Sequence, residues 1–365
     1  MSKTWTGIAV ALTALAGVAF AAEAQTVKIA GNMPLTGPIA SFSGNYFKGL
    51  EMGLADACKA NNIKCDQFKV DAQDNAGKPP QAVSVAQKQL LDKPSVVISG
   101  TSESSIAIAP LVDKEAIPHF MIAFDTFLVE RGKDRLRVLP SYKTESPQYL
   151  RLVDKLKPKK VVAIALNYSS INEQFEAVMG PELKKRNIDF KREAFDFATK
   201  DYNNIILKAK QENADLYIVT GFSFHIYPII KAMRTYGIDP TKVVAAMDFV
   251  DLLYNGTPAD ELKGFYFTTP FYEVPGMVVK AGDFQKRYKA QFGRDPSFIE
   301  AYAYDTAGMI ATSQAKFGKV DKASIMKVSP YDGVTGRIEL DATGDITGTV
   351  TVAQYGMDGK VTEVK

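Results

Sequence analysis

Residues with hydroxyl groups lead into a predicted helix in the first half of the chain. The run Thr101-Ser102-Glu103-Ser104-Ser105 follows a buried strand that ends at Ser99 and precedes a helix predicted over Ile106–Glu115. The first backbone N–H groups of a helix lack intrahelical acceptors and carry partial positive charge. Hydroxyl groups beside them add donors, so the segment is suited to bind a carboxylate. The alternative is that these residues only cap the helix.

Asp248 is a candidate binding residue in the second half of the chain, and its negative charge is opposite to the partial positive charge of the helix start. It directly follows a strand predicted over Val243–Met247, at the carboxyl end where ligands bind in open α/β sheets. A carboxylate in a closed cleft needs a cationic partner, because burying it alone is costly. Asp248 therefore favours a ligand that carries an amine. The alternative is a loop aspartate that caps a helix.

Five aromatic residues stand in predicted loops at the carboxyl ends of strands. Taken singly, each is better explained as a core residue than as part of a pocket. Together they predict a cleft wall that contacts an apolar or aromatic ligand group. These residues are Phe42, Tyr168, Phe124, Phe222 and Phe224.

Motifs for catalysis and metal binding are absent from the sequence. It contains no phosphate-binding P-loop, no dinucleotide-binding glycine motif and no nucleophile elbow. The only two histidines, His119 and His225, lie in different halves, and His119 is expected to pack beside a buried strand. We expect no catalytic residue, no cofactor and no metal site. The net charge is only +3 and basic residues are spread along the chain, so no nucleic-acid partner is expected.

The amino terminus is typical of an export signal. Lys3 precedes an apolar stretch over 7–20, and small-x-small sites end at Ala21 and Ala24. This order predicts a signal peptide over 1–24 and a periplasmic mature protein, with a retained membrane anchor as the alternative. In an oxidising compartment, Cys58 and Cys65 are expected to form a disulfide. A reactive thiol pair is the alternative.

Short apolar strands alternate with amphipathic helices in two successive series, over 27–123 and 161–247. Such a pattern predicts two parallel, doubly wound sheets, which form two lobes. After Asp332, short runs with turns at 342–344 and 357–359 predict hairpin strands. No low-complexity linker separates the series, so we expect a hinge of several strands rather than one flexible tether.

The ordered motifs of the chain resemble those of a known family. They are Pro34-Leu35-Thr36-Gly37-Pro38, then Gly44 and Gly49, the acidic turn 71–74 and the helix start at 79–86. The chain resembles the type I periplasmic solute-binding proteins of ABC transporters, in the branched-chain amino-acid group. The resemblance implies two α/β lobes joined by three crossovers, which close on a ligand. We place lobe 1 at 25–143 plus 271–335 and lobe 2 at 144–270 plus 336–365.

The resemblance also implies roles for individual residues. Ser104 and Thr126 match positions that contact the ligand carboxylate, together with the backbone at Ala123 and Phe124. Asp248 stands where the family has a glutamate that binds the ligand ammonium, and Phe222 stands where it has a tyrosine. Asp125 departs from the small residues usual there, and we expect it to be an exposed turn residue.

The expected function is that of a monomeric binding protein without enzymatic activity. It captures an aliphatic (branched-chain) or an aromatic amino acid and passes it to an ABC permease in the inner membrane. One alternative keeps the fold and binds an aromatic carboxylate that lacks an amine. Another is a ligand sensor outside transport, which permease genes beside its own would argue against.

Overall fold

The computed structural model describes residues 26–37 and 39–365, without the side chains of residues 41 and 42. The signal peptide predicted over 1–24 lies outside the described residues. No helix in the described ranges is long and apolar enough to cross a bilayer.

A five-stranded parallel sheet, which we call the first sheet, is built from the first part of the chain. Its strand order is β2-β1-β3-β4-β5, so β3 lies at the centre, where it is buried along its whole length. Helices on both faces explain why β3 is a continuous apolar run rather than an alternating one. The elements are β1 (Val27–Met33), α1 (Ala40–Ala60), β2 (Phe68–Asp74), α2 (Pro79–Leu91), β3 (Val96–Gly100), α3 (Ser102–Glu115), β4 (His119–Ile122) and β5 (Arg135–Leu136).

A seven-stranded sheet, the second sheet, repeats this construction. Five of its strands are parallel, and its full order is β15-β14-β10-β9-β8-β6-β7. A π-helical stretch over Gln174–Met179 joins α5 to α6. The elements from this part of the chain are α4 (Tyr142–Leu156), β6 (Lys160–Leu166), α5 (Ser169–Glu173), α6 (Gly180–Lys185), β7 (Asp189–Phe195), α7 (Asn203–Gln211), β8 (Leu216–Thr220), α8 (Ser223–Thr235), β9 (Val243–Ala245), α9 (Ala259–Leu262) and β10 (Tyr266–Pro270).

The last part of the chain adds elements to both the first-sheet side and the second-sheet side of the molecule. The helices α10 to α12 return to the first sheet, a small antiparallel sheet of β11 to β13 follows, and β14 and β15 complete the second sheet. The chain thus passes between the two sheets three times. These elements are α10 (Ala281–Phe292), α11 (Phe298–Phe317), α12 (Lys322–Val328), β11 (Tyr331–Gly333), β12 (Gly336–Leu340), β13 (Ile346–Thr347), β14 (Val350–Tyr355) and β15 (Val361–Glu363).

The strand pairing bears on the lobe boundaries. A boundary between residues 335 and 336 would cut the hairpin in which β11 pairs with β12. The side chain of Arg137, just after β5, also binds both carboxylate oxygens of Asp345 at 2.8 and 2.6 Å. We therefore propose that lobe 1 extends to Thr347 and that the last crossing lies between β13 and β14.

Two glycines on α1 explain how closely α11 packs against it. A Cβ added at Gly49 would lie 2.2 Å from the carbonyl oxygen of Glu300, and one added at Gly53 would lie 2.4 Å from that of Tyr304. Only residues without a side chain fit this seam. The carboxyl end of α1 is joined to the following turn by a disulfide between Cys58 and Cys65, whose Cα atoms are 5.4 Å apart.

Candidate functional site

A cleft between the first and second sheets holds an empty volume of about 530 Å³. This volume includes space open to solvent, and its lining is mostly apolar with a few placed polar groups, as is usual for small-molecule sites. The first wall, from the first-sheet side, consists of Ile39, Thr101, Ser102, Ile122 and Phe124. The second wall consists of Tyr142, Tyr168, Ser170, Ile171, Gly221, Phe222 and Asp248.

The amino terminus of α3 supplies the polar part of the first wall. This helix begins at Ser102 rather than at Ile106, with Thr101 as its extended N-cap residue, whose side chain makes no capping bond. The Oγ atom of Ser102 accepts the backbone N–H of Phe124 at 3.1 Å, which leaves its own O–H to donate. Thr101 and Ser102 therefore present donors beside the partial positive charge of a helix start.

Three predicted contacts with a ligand carboxylate lie outside this wall. Ser104 and Thr126 are buried, and among the described residues neither hydroxyl has a hydrogen-bond partner. Ala123 is also buried, and its carbonyl accepts a hydrogen bond from Arg137 at 2.9 Å. Because α3 starts earlier than predicted, Ser104 lies within its first turn, and Thr101 and Ser102 take the positions at the cleft.

Asp248 is the acidic group of the second wall. The strand predicted over Val243–Met247 ends at Ala245. After Ala246, a 3₁₀ segment over Met247–Leu253 carries Asp248 into the cleft. Burial raises the pKa of Asp248 well above its ordinary value, and the charge of Glu145 raises it further. No Lys or Arg is among the described residues that line this compartment.

Glu145, which sequence reasoning missed, supports this wall from behind. It lies in the first turn of α4 and is completely buried. Its Oε1 atom accepts the backbone N–H of Met247 at 3.0 Å and the hydroxyl of Thr268 at 2.5 Å. Its Oε2 atom accepts from the Gln174 amide at 3.0 Å. One carboxylate thus joins α4, the π-helical stretch, β10 and the start of the segment that carries Asp248.

Aromatic rings form the apolar part of the cleft. Phe222 packs edge-on against Tyr168, with ring centroids 5.8 Å apart, and stacks on Phe224 at 5.6 Å. Phe124 packs against Tyr142 at 5.9 Å. Phe42 was predicted to join this wall, but its side chain lies outside the described residues. Burial and the nearby charge of Asp248 raise the pKa of Tyr142, so its hydroxyl stays protonated.

Polar contacts link the two sides across the cleft. The hydroxyl of Ser169 donates to Glu103 at 2.6 Å, and Arg131 forms an ion pair with Glu173. The hydroxyls of Thr101 and Tyr168 approach each other to 3.5 Å. The two sides therefore already meet at the rim of the cleft.

Asp125 corrects a prediction. It was expected to be an exposed turn residue, yet only 3% of its surface is exposed. The turn is drawn inward because the guanidinium of Arg137 donates to the backbone carbonyl of Asp125. Its carboxyl group faces that of Glu173, and burial and this neighbour raise its pKa to about 6.

A second compartment continues from the first and shares Ile39, Phe124, Phe222 and Asp248 with it. Its further residues, Ser223, Phe224, Val250, Asp251, Ser297, Phe298 and Ile299, give it an empty volume of about 520 Å³. The hydroxyl of Ser223 donates to Asp251 at 2.7 Å. Phe224 thus borders the second compartment and not the first.

The described residues contain no cluster of acidic, histidine or cysteine side chains that fits a metal ion. His119 is completely buried, and its Nε2 atom lies 2.7 Å from the Oγ atom of Ser99. Burial lowers its pKa to about 3, so it stays neutral and serves packing. His225 is also buried, and its Nε2 atom lies 3.0 Å from the carbonyl oxygen of Phe197.

Comparison with known proteins agrees with this architecture. Residues 26–360 match the family model described as periplasmic binding protein. A Leu/Ile/Val-binding protein of Citrobacter freundii is 26% identical over 360 residues, which cover 94% of this chain and 95% of that protein.

Two solved structures share the fold. The substrate-binding protein LivJ of Streptococcus pneumoniae, in complex with isoleucine, has a TM-score of 0.79 at 22% identity and covers 93% of this chain and 100% of its own. A solute-binding protein of Rhodopseudomonas palustris, in complex with 3,4-dihydroxybenzoic acid, has a TM-score of 0.81 at 21% identity and covers 93% and 96%.

The family match spans nearly all of the described chain, and the two parallel sheets with a cleft between them confirm the predicted fold class. The resemblance found in the sequence motifs is confirmed with it. The chain belongs to the periplasmic binding protein family and has its type I fold.

Proposed function

We propose that this protein is the solute-binding component of an ABC importer and that it captures an aliphatic or aromatic amino acid in the cleft. The observation that carries the proposal is Asp248, a carboxyl group that borders a mostly apolar compartment without a lining cation among the described residues. A ligand ammonium at this position would neutralise the charge and lower the pKa of Asp248 again.

The first wall suits the other end of such a ligand. A carboxylate at the start of α3 would receive hydrogen bonds from Thr101, Ser102 and the free N–H groups of the first helical turn. This replaces the predicted pair of Ser104 and Thr126, which lie outside the compartment. Between the two polar ends, Ile122, Ile171 and Phe222 would contact the side chain of the ligand.

Contacts on both walls explain how binding would close the cleft. A ligand that touches both walls stabilises the closed form relative to the open one, by the difference in its affinity for the two forms. The isoleucine complex of LivJ, the Leu/Ile/Val-binding relative and the family match support capture of a solute, followed by delivery to a membrane permease. A periplasmic location and a monomeric state form part of the same proposal.

A second candidate ligand is an aromatic carboxylate without an amine. It is favoured by the rings of Phe124, Tyr168 and Phe222 and by the raised pKa of Asp248, since a protonated Asp248 can donate to a ligand oxygen. The dihydroxybenzoic acid complex of the Rhodopseudomonas palustris protein has the same fold.

Calorimetric titration with leucine, phenylalanine and 4-hydroxybenzoate separates the two candidates. We expect both amino acids to bind and 4-hydroxybenzoate to bind at least about tenfold more weakly, because its carboxylate brings no charge to offset Asp248. Binding of the benzoate alone would overturn the amino-acid proposal and support the second candidate. Conversion of any ligand into a product would contradict a purely binding function.

A further inference from the structure

Glu145 is a fully buried carboxylate whose close contacts are all donors. The N–H of Met247, the hydroxyl of Thr268 and the amide of Gln174 lie at 3.0, 2.5 and 3.0 Å from its oxygens. Three donors favour the ionised form, although burial raises the pKa of Glu145. The three neutral donors therefore offset part of the cost of burying an ionised Glu145.

Glu145 and Asp248 are close enough for their charges to interact. Among nearby charged groups, Glu145 contributes most to the raised pKa of Asp248, ahead of Asp251. Within the described part of the chain, the groups that shift the pKa of either residue most strongly include no Lys or Arg. Without a ligand, ionising both groups would place two like charges together where water is scarce, and this cost favours the protonated form of Asp248.

We propose that Glu145 is a positioning residue that also determines specificity, because it makes the cleft select ligands that carry an ammonium group. It fixes the backbone N–H of Met247, one residue before Asp248, and so sets where the Asp248 carboxylate lies. Its own charge adds a second attraction for the same cation. The inference rests on the proposed function of the cleft as an amino-acid site.

A purely structural role makes a different prediction. If Glu145 only joins α4 to the second sheet, its loss should weaken every ligand equally, because all ligands need the same closed cleft. If its charge selects the ammonium, its loss should weaken only ligands that contain one. Leucine and 4-methylpentanoate, which is leucine without its amine, make this comparison directly.

The test is calorimetric titration of both ligands on the wild type, Glu145→Gln and Glu273→Gln. Glu273 is a matched control, since it is also a buried carboxylate that accepts from a hydroxyl and a backbone N–H, those of Tyr254 and Phe298. Glu145→Gln should weaken leucine on the order of tenfold, the equivalent of one pKa unit, and change 4-methylpentanoate less than about threefold. Glu273→Gln should leave the ratio of the two affinities unchanged.

The pH profile provides a second readout. Removing the Glu145 charge lowers the pKa of Asp248, so the loss of leucine binding on acidification should begin at a lower pH in Glu145→Gln. Thr268→Val keeps the charge and removes one donor, which raises the pKa of Glu145. In that variant, the preference for leucine should disappear at a higher pH than in the wild type. This second variant tests the inference even if Glu145→Gln does not fold.

The outcomes separate the inference from the proposed function. Equal weakening of both ligands by Glu145→Gln, or a Thr268→Val profile identical to that of the wild type, overturns the inference alone. A wild type that binds neither leucine nor any other amino acid overturns the proposed function, and the inference with it.

Discussion

The first wall meets the cleft with hydroxyl groups and the start of α3, whereas the second wall meets it with Asp248 and, behind it, Glu145. The first wall stabilises negative charge through neutral donors, and the second stabilises positive charge through carboxylates. A zwitterion matches both walls at once, while a simple anion matches only the first. Each variant below changes one side chain, either in one of the two walls or at the rim where the two sides meet.

The largest effect is expected from Asp248→Asn. Loss of a charged partner in a closed site costs about 2–4 kcal/mol, so leucine affinity should fall by at least about thirtyfold. The amine-free 4-methylpentanoate should bind equally well or better, since a repelling charge is gone. Titration of both ligands checks this, with Asp260→Asn, at an exposed position outside both compartments, as a control. An equal loss of affinity for both ligands would contradict the assignment of the second wall as the site that binds the positive charge of the ligand.

The contact between Asp125 and Glu173, near the rim of the cleft, predicts that ligand affinity depends on pH. The facing charges are Glu173, Glu103 and Arg137, with Arg131 paired to Glu173, and the pKa of Asp125 rises from its ordinary 3.8 to about 6. The closed form therefore holds a proton that an open form releases. The contribution of this proton to ligand affinity is complete below about pH 4, and it is lost as the pH rises through about 6.

Asp125→Asn isolates this effect, because the amide donates to Glu173 at any pH. The quantity to follow is the ratio of the leucine affinity of the wild type to that of Asp125→Asn. From pH 4 to pH 7 this ratio should fall between about tenfold and a hundredfold, as expected for one to two pKa units. Taking this ratio cancels the protonation of Asp248. Asp260→Asn, at an exposed position, is the control and should follow the wild type. A constant ratio would show that the rim contact does not favour closure.

A smaller loss is expected from Ser102→Ala in the first wall. A hydrogen bond to a charged group is worth about 1.5 kcal/mol, so leucine and 4-methylpentanoate should both weaken about tenfold. The matched control is Ser104→Ala, which removes a buried hydroxyl from the same helical turn. If Ser104→Ala has the larger effect, the position inferred from the family resemblance is correct and Thr101 and Ser102 are not the carboxylate site.

Tyr168→Phe should have the smallest effect. Its hydroxyl is 3.5 Å from that of Thr101, at the limit of a hydrogen bond, while its ring contact with Phe222 survives the change. Leucine affinity should change by less than about threefold, because a weak neutral contact is worth only about 0.5 kcal/mol. A loss above tenfold in the same titration would mean that the hydroxyl binds the ligand directly.

Much of this architecture could be predicted from the sequence. Apolar strands such as Val96–Gly100 alternate with amphipathic helices, and this periodicity fixes the fold class before any contact is known. Asp248 could be recognised because it lies within three residues of a strand end, and Phe124, Phe222 and Tyr168 lie two residues beyond theirs. The positions of these residues could be predicted because they depend only on which residues follow a strand in the sequence.

What the sequence could not predict depends on precise helix starts and on partners distant in sequence. The run 101–105 was recognised as a possible carboxylate site, but the family resemblance selected Ser104 from it. With α3 predicted to start only at Ile106, nothing favoured Thr101 and Ser102, which the structure places at the helix start. Glu145 could not be recognised, because its partners Met247 and Thr268 are 102 and 123 residues away. Asp125 was placed on the surface because nothing in its neighbourhood reveals that Arg137 draws the turn inward.

The three crossings between the sheets have a consequence for the order in which the chain folds. The strand β14 lies between β10 and β15, while α11 packs on α1 from more than two hundred residues away. The first-sheet side cannot bury its apolar surface until α11 has been synthesised, and the second-sheet side cannot do so until Val350–Tyr355 has been synthesised. We therefore expect the nascent chain to remain loosely folded for most of its synthesis and to fold cooperatively only near its completion.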